Sequence, residues 1–308
     1  MSRSFRIGVV FPQTEIGDDP GAIRDFGQTV EALGYAHLVA YDHVVGANIA
    51  NRPDWNGPYT HESTFHEPMV LFAYLAAVTR SIILSTGVII LPQRQAVLFG
   101  KQAANVDVLS RGRFRAGLGI GWNAVEYEAL GVPFAQRGAK LDDQIGLLRK
   151  LWTEPTFTHA SLYHTVTDAG IKPLPVQRPI PIWLGGRTGP AMDRAARLGD
   201  GWLPIEKRER ATETVDRFRE AVAKAGRDPD RIGIENMNQL GARGTAPIRS
   251  LDDAVADAEA WRAAGATGIT FDTMAMGFRD PAQHLDFLRH LAEGLRLKPQ
   301  PADPTRSP

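Results

Sequence analysis

Short apolar segments alternate with amphipathic segments along most of the chain. The apolar segments are continuous runs rich in Val, Ile and Leu, and such runs are typical of parallel strands that are buried on both faces of a sheet. The pattern predicts eight strands, at 5–11, 37–41, 82–91, 114–120, 182–184, 202–205, 232–237 and 268–272.

A predicted helix follows each predicted strand. Asp19 and Pro20 mark the first helix start, because an aspartate accepts the free N–H groups of the first turn and a proline suits that turn. Eight βα units in strict alternation favour a (β/α)₈ TIM barrel over a doubly wound sheet. The helices are predicted at 20–33, 68–78, 97–109, 138–152, 190–198, 210–225, 251–264 and 281–295.

Two segments depart from this alternation. The segment 155–181 is rich in Pro, Thr and His and has little periodicity, so we predict an irregular insertion between strands four and five. The Pro-rich, charged residues 299–308 predict a disordered tail. Residues 1–298 are therefore predicted to form one barrel domain.

The composition excludes several classes of function. The 308 residues include 35 Lys+Arg and 35 Asp+Glu, and zero net charge argues against a nucleic-acid or anionic membrane surface. The absence of cysteine excludes disulfides, thiolate nucleophiles and Cys-ligated metals, and it is typical of a cytoplasmic protein. The apolar run 7–11 is too short for a signal peptide or a membrane span. No H-x-H or H-E-x-x-H motif is present, so we predict no metal site.

Candidate chemistry concentrates at the strand ends, where TIM barrels carry their active sites. Asp42 and His43 follow strand two and point in roughly opposite directions. His43 is a candidate for binding a polar ligand atom or moving a proton; the alternative is a pair that only fastens the loop. Gly87 interrupts strand three and indicates either a bulge where a ligand approaches or a packing requirement.

A glycine-rich segment ends strand four. Gly119, Gly121 and Ala124 match the dinucleotide pattern G-x-G-x-x-A, but the motif lies on the fourth strand and no clear amphipathic helix follows it at once. A nicotinamide dehydrogenase is therefore the weaker interpretation. The stronger one is a bare backbone on which a flat ring lies, with Trp122 as one wall.

A second glycine pair follows strand five. Gly185 and Gly186 free the backbone, Arg187 supplies a forked cation, and Thr188 begins a helix whose N–H groups point toward an anion. We favour a phosphate-binding segment over a plain turn.

Taken together and in order, these motifs resemble the luciferase-like monooxygenase superfamily, and within it the coenzyme F420-dependent oxidoreductases. The resemblance covers about residues 5 to 295. It rests on Gly34-Tyr35, Asp42-His43, Thr86-Gly87-Val88, Leu109 to Phe114 leading to Gly117–Gly121, Pro181 to Gly186, and Ala195 to Trp202.

The resemblance implies a barrel whose strand ends hold a flavin or deazaflavin. A strand-three bulge, often with a non-proline cis peptide, would back the ring near Gly87 and Val88. Ile120, Gly121 and Trp122 would line its other side. The cofactor phosphate would lie on Gly185, Gly186, Arg187 and Thr188, the segment that local chemistry already favours.

The resemblance also bears on the reaction. Asp42-His43 is common in relatives that use F420, which transfers hydride and does not activate oxygen. We therefore expect Asp42 and His43 to bind the cofactor, and His43 becomes the catalytic candidate. Relatives that oxidise sugar phosphates carry a glutamate where this chain has Trp122, which puts that substrate class in doubt.

These points lead to one expected function and two alternatives. We expect hydride transfer between F420 and a small organic substrate, by a protein that the resemblance implies to be a homodimer. One alternative is an FMN-dependent monooxygenase using reduced flavin and O₂; the other is a barrel that binds the cofactor without catalysis.

Overall fold

The computed structural model describes residues 5–242 and 247–299. Strands and helices alternate in the predicted order. The strands are β1 (Arg6–Val10), β2 (His37–Ala40), β3 (Ile83–Thr86), β4 (Ile89–Ile90), β5 (Phe114–Gly119), β6 (Phe157–Ala160), β7 (Thr165–Ala169), β8 (Ile182–Gly185), β9 (Gly201–Leu203), β10 (Gly233–Gln239) and β11 (Gly268–Asp272). The helices are α1 (Pro20–Ala32), α2 (Pro68–Val78), α3 (Ala96–Leu109), α4 (Ala124–Ala129), α5 (Arg137–Thr153), α6 (Gly189–Leu198), α7 (Ala211–Lys224), α8 (Leu251–Ala263) and α9 (Pro281–Gly294).

The main sheet closes on itself as an eight-stranded parallel barrel. Its order is β3-β2-β1-β11-β10-β9-β8-β5-β4, and β5 also pairs with β3. The short strands β3 and β4 occupy one barrel position, because both lie beside β5, with Leu84 opposite Phe114 and Ile89 opposite Leu118. The predicted (β/α)₈ barrel is confirmed.

Two expectations about the segments between strands need correction. The insertion 155–181, predicted as irregular, contains the antiparallel hairpin β6–β7, whose exposed strands lack the apolar runs that mark the barrel strands. A six-residue helix, α4, follows the strand-four glycines, where we expected no clear amphipathic helix at once. The predicted tail lies outside the described residues, apart from Pro299.

The lower part of the barrel interior is polar. Arg115 donates two hydrogen bonds of 2.8 Å to the carboxylate of Glu235, and Nε2 of His37 lies 2.8 Å from the same carboxylate. All three side chains are at most 4% exposed. Burial alone would raise the pKa of Glu235, but Arg115 and His37 hold it well below its usual value. The charges compensate one another, as buried ions require.

Toward the carboxyl ends of the strands the interior becomes apolar. Val10, Val39, Leu203 and Met237 form a buried cluster there, and Val88 packs against it. This cluster is the floor beneath the strand ends. Among the described residues, no helix is long and apolar enough to cross a membrane.

Candidate active site

A carboxylate holds the ring of His43, which follows β2. Nδ1 of His43 lies 2.9 Å from Oε1 of Glu126 on α4. The Glu126 side chain is 2% exposed, and its Oε1 also accepts the N–H of Val44 at 3.1 Å. With the Nδ1 proton directed to Glu126, Nε2 is the acceptor nitrogen. Nε2 has no hydrogen-bond partner among the residues that the structure describes, so it is available to a ligand.

Aromatic rings surround the His43 imidazole on several sides. The ring centroids of Tyr59, Phe65 and Trp122 lie 4.9, 4.7 and 5.8 Å from its centroid. Trp55 packs on Trp122 at 5.6 Å, and Trp122 is 43% exposed. Trp122 therefore lies beside His43, and residues of the long loop after β2 cover them.

The Asp42 side chain is hydrogen-bonded to β4 and to the segment that follows it, and not to His43. Its carboxylate accepts the N–H of Ile90 at 2.9 Å and the Nη2 of Arg94 at 2.5 Å. Arg94 also donates to Glu67 at 2.9 Å. Burial raises the pKa of Asp42 in spite of the Arg94 guanidinium. Asp42 thus fastens the end of β2 to the segment after the strand-three interruption.

Gly87 and Val88 separate β3 from β4, and the Val88 side chain lies in a gap lined by glycines. The Gly87-Val88 peptide is cis. A Cβ atom on Gly119 would stand 2.5 Å from Cγ2 of Val88, and one on Gly185 would stand 2.8 Å from its Cγ1. Glycine is therefore required on the strands at both sides of Val88. The backbone of three strand ends approaches closely around this one side chain.

Gly121 lies just beyond β5, in a conformation that favours glycine. Its φ is +67°, and a Cβ atom would also meet Ile90. The preceding residue, Ile120, is half-buried, and its carbonyl accepts the Tyr127 hydroxyl at 2.7 Å. Burial raises the pKa of Tyr127 to about 12, so the hydroxyl stays protonated as a donor. This bond fixes the turn that carries Trp122 beside His43.

The segment after β8 presents the predicted cation and helix start together. Gly185 ends β8, Gly186 has a φ of +140°, and Thr188 is the N-cap residue of α6. Arg187 and Thr188 are exposed. The Thr188 side chain makes no capping hydrogen bond, and Arg187 makes no ion pair within the described parts of the chain. An exposed cation beside a helix start is an arrangement that often binds anions in proteins.

Sequence reasoning missed Glu126, which completes the His43 arrangement. Asn123 accepts the N–H of Val125 as the N-cap of α4, and Glu126 stands three residues later. An Asn followed three residues on by Glu is a helix-start signal, so this spacing could have revealed both α4 and its buried acid. Within 5–242 and 247–299 no cluster of three or more His, Cys, Asp or Glu side chains that could hold a metal ion occurs.

A family model described as luciferase-like monooxygenase matches residues 5–296. The chain belongs to the luciferase-like monooxygenase family. The uncharacterized protein Rv0940c of Mycobacterium tuberculosis is 33% identical over 235 residues, which are 73% of this chain and 79% of that protein. The resemblance to the luciferase-like monooxygenases, inferred from the motifs, is confirmed.

Two similar proteins of known activity use different cofactors. An FMNH₂-dependent dimethylsulfone monooxygenase of Pseudomonas putida is 30% identical over 142 residues, covering 45% of this chain and 39% of that enzyme. An F420-dependent secondary alcohol dehydrogenase, solved with an F420-acetone adduct, superposes with a TM-score of 0.76 at 13% identity, covering 95% and 99% of the two chains. One sequence relative is thus an FMNH₂-dependent monooxygenase, and an F420-dependent dehydrogenase shares the fold of the chain.

Proposed function

We propose that the protein transfers hydride between coenzyme F420 and a small organic substrate at the strand ends beside His43. The observation that carries the proposal is the His43–Glu126 pair. Hydride transfer to or from an alcohol carbon requires a group that takes or returns the hydroxyl proton. Nε2 of His43 is such a group, because Glu126 holds the other ring nitrogen.

The residues at the strand ends fit a flat ring with a phosphate. Val88 fills the gap between Gly119 and Gly185, and with the buried cluster beneath it offers an apolar surface to the ring. Arg187 and the start of α6 would bind the phosphate. F420, when bound, would supply the two-electron hydride acceptor or donor. Asp42 would act indirectly, by holding Ile90 and therefore the strand-three segment against the ring.

The chain's own residues would manage the proton and the solvent. In the oxidation direction, Nε2 of His43 would accept the substrate hydroxyl proton while the buried carboxylate of Glu126 stabilises the imidazolium that forms. In the reverse direction the same nitrogen would return the proton. Tyr59, Phe65 and Trp122 would exclude water from the imidazole.

An FMN-dependent monooxygenase is the second candidate, and the Pseudomonas putida relative favours it. The test is titration of the purified protein with F420 and with FMN, followed by assay of each reduced cofactor. Tight F420 binding with hydride transfer that needs no O₂ is the result we expect. Tight FMN binding without F420 binding would overturn the proposal, and cofactor binding without turnover to any acceptor would favour a non-catalytic barrel.

We also propose that the protein acts as a homodimer. The neighbouring helices α2 and α3 expose large apolar side chains, with Val70 70%, Leu98 53% and Leu109 60% exposed. Large apolar side chains exposed on two neighbouring helices favour an association face. Light scattering after size exclusion measures the mass directly, and a monomer at micromolar concentration would contradict the proposal.

A further inference from the structure

A second cavity opens at the end of the barrel opposite to the proposed active site. It has a volume of about 570 Å³ and lies where the strands begin: Arg6 starts β1, and Asp200 and Thr267 immediately precede β9 and β11. The other lining residues are Arg149, Pro179, Pro181, Trp183 and Arg231. Small-molecule sites usually have volumes of about 300–1,000 Å³, so this cavity is large enough to bind a ligand of its own.

The charged side chains that line this cavity are mainly positive. Three arginines and one aspartate are among the lining residues. The aspartate is already engaged, because Asp200 lies 3.0 Å from Nη2 of Arg149 and accepts the N–H of Ile182 at 2.8 Å. Guanidinium groups bind carboxylates and phosphates through paired N–H groups. The lining therefore favours an anionic ligand.

A fourth arginine stands behind the wall of the cavity. Arg227 donates a hydrogen bond to the carbonyl of Ala196 at 2.8 Å. Burial lowers the pKa of the Arg227 guanidinium, Asp200 opposes this shift, and Arg149 adds to it. Arg149 and Arg227 thus lie close enough to repel each other, and an anion in the cavity would reduce that repulsion.

The indole of Trp183 gives the cavity an apolar surface and an unused donor. A Cβ atom on Gly201 or on Gly233 would stand 2.3 Å from this ring, so β9 and β10 both carry glycine where the indole lies against them. Trp183 is 4% exposed, and its indole N–H donates to no acceptor among the described residues. A donor with so little access to water is stabilised by an acceptor, which an oxygen of a ligand in the cavity would supply.

We propose that this cavity binds a small organic anion with a flat apolar body, such as an aromatic carboxylate. The carboxylate would lie on the guanidiniums of Arg6 and Arg231, and the flat body would pack on Trp183 and the two lining prolines. TIM barrels carry their active sites at the carboxyl ends of the strands. A ligand at the amino ends is therefore not the substrate of the proposed reaction, and the cavity is a second binding site.

Three probes separate the contributions of charge and of apolar surface. 2-Naphthoate, its uncharged analogue 2-naphthamide, and acetate are each titrated into the purified protein by calorimetry at pH 7, where carboxylates are ionised. We expect 2-naphthoate to bind more tightly than either of the other two by about 10-fold or more, because it alone makes both kinds of contact. If 2-naphthamide or acetate binds as tightly as 2-naphthoate, the proposal is overturned.

Two charge variants with opposite expected effects locate the ligand. Arg231→Gln should weaken 2-naphthoate binding about 10-fold, whereas Arg289→Gln, at an exposed position on α9, should not change it. Asp200→Asn keeps an acceptor for the N–H of Ile182 and removes the lining carboxylate, so it should tighten binding several-fold. A general loss of structure would not tighten binding. Equal affinities of the two arginine variants, or an Asp200→Asn affinity no tighter than that of the wild type, would contradict the proposal.

The variant Arg187→Ala, at the carboxyl ends of the strands, distinguishes this site from the proposed active site. It should leave 2-naphthoate binding unchanged, and neither F420 nor FMN should compete with the probe. Competition by a cofactor, or a loss of 2-naphthoate affinity in Arg187→Ala, would assign the probe to the proposed active site and overturn the second site. The result does not depend on which cofactor the protein uses.

Discussion

Nδ1 of His43 lies 2.9 Å from Oε1 of Glu126, and this bond joins the end of β2 to the short helix α4. It orients the imidazole and leaves Nε2 without a hydrogen-bond partner among the described residues. Glu126→Gln keeps the size of the side chain and removes its charge. We expect kcat to fall on the order of 10²-fold with little change in KM, because a positioned proton acceptor contributes about that much.

Two controls separate this positioning role from a general loss of structure. Glu128 is exposed on the same helix, so Glu128→Gln should leave both kinetic constants unchanged. The loss in Glu126→Gln should also vary with pH, because the imidazolium is no longer stabilised by a carboxylate. If Glu126→Gln instead raises KM and leaves kcat unchanged, Glu126 acts only in substrate binding.

Arg187→Ala tests the proposed phosphate contact. Loss of one charge-assisted hydrogen bond should weaken cofactor binding by about 1–3 kcal/mol, measured by calorimetry or fluorescence. Arg289 is an exposed arginine on α9 and serves as the matched control. A dissociation constant that is the same in Arg187→Ala, Arg289→Ala and the wild type would remove the anion site.

The barrel was predictable from the sequence because most of its strands are short apolar runs, although β10 carries Glu235 and two asparagines. The hairpin β6–β7 was not, since its exposed residues carry no such run. The position of His43 followed from strand order alone. Its pairing with Glu126 is a contact between residues 83 apart in the chain, and no local pattern specifies which acid meets which imidazole.

The glycines that end β5 and β8 are a second case in which the sequence did not reveal a contact between distant residues. Sequence reasoning indicated a bare backbone at Gly119 and Gly185 and explained it by a ligand. In the structure the Val88 side chain occupies that space. The glycine pattern is thus a packing requirement of a neighbouring strand, and the ligand contact stays a prediction.

Gly119→Ala tests the fit around Val88. The added methyl group would stand 2.5 Å from Cγ2 of Val88, so strand three must shift. We expect a loss of about 1–3 kcal/mol in the free energy of unfolding, typical of overpacking in a core, together with weaker cofactor binding. Gly146→Ala is the control, because a Cβ atom there meets nothing within 4 Å in the helix α5. Urea unfolding measures both variants, and equal stabilities would contradict the packing role of Gly119.

The polar layer inside the barrel predicts a dependence of stability on pH. Arg115 and His37 lower the pKa of Glu235 well below its usual value although burial opposes them. A carboxyl whose pKa is lowered by folding stabilises the protein fully above its unfolded pKa, and that contribution is lost as the pH falls through the folded value. Glu235→Gln should therefore reduce the free energy of unfolding by about 3–5 kcal/mol at pH 7, as expected when a buried ion loses its partner. The difference from the wild type should shrink below roughly pH 4.3, the usual glutamate pKa.

Glu213, whose pair with Arg210 is half exposed, provides the control: Glu213→Gln should change the free energy of unfolding little. Denaturant midpoints between pH 3 and 8 measure these differences, and a Glu235→Gln effect that stays constant below pH 4.3 would show that the layer acts through shape and not through charge.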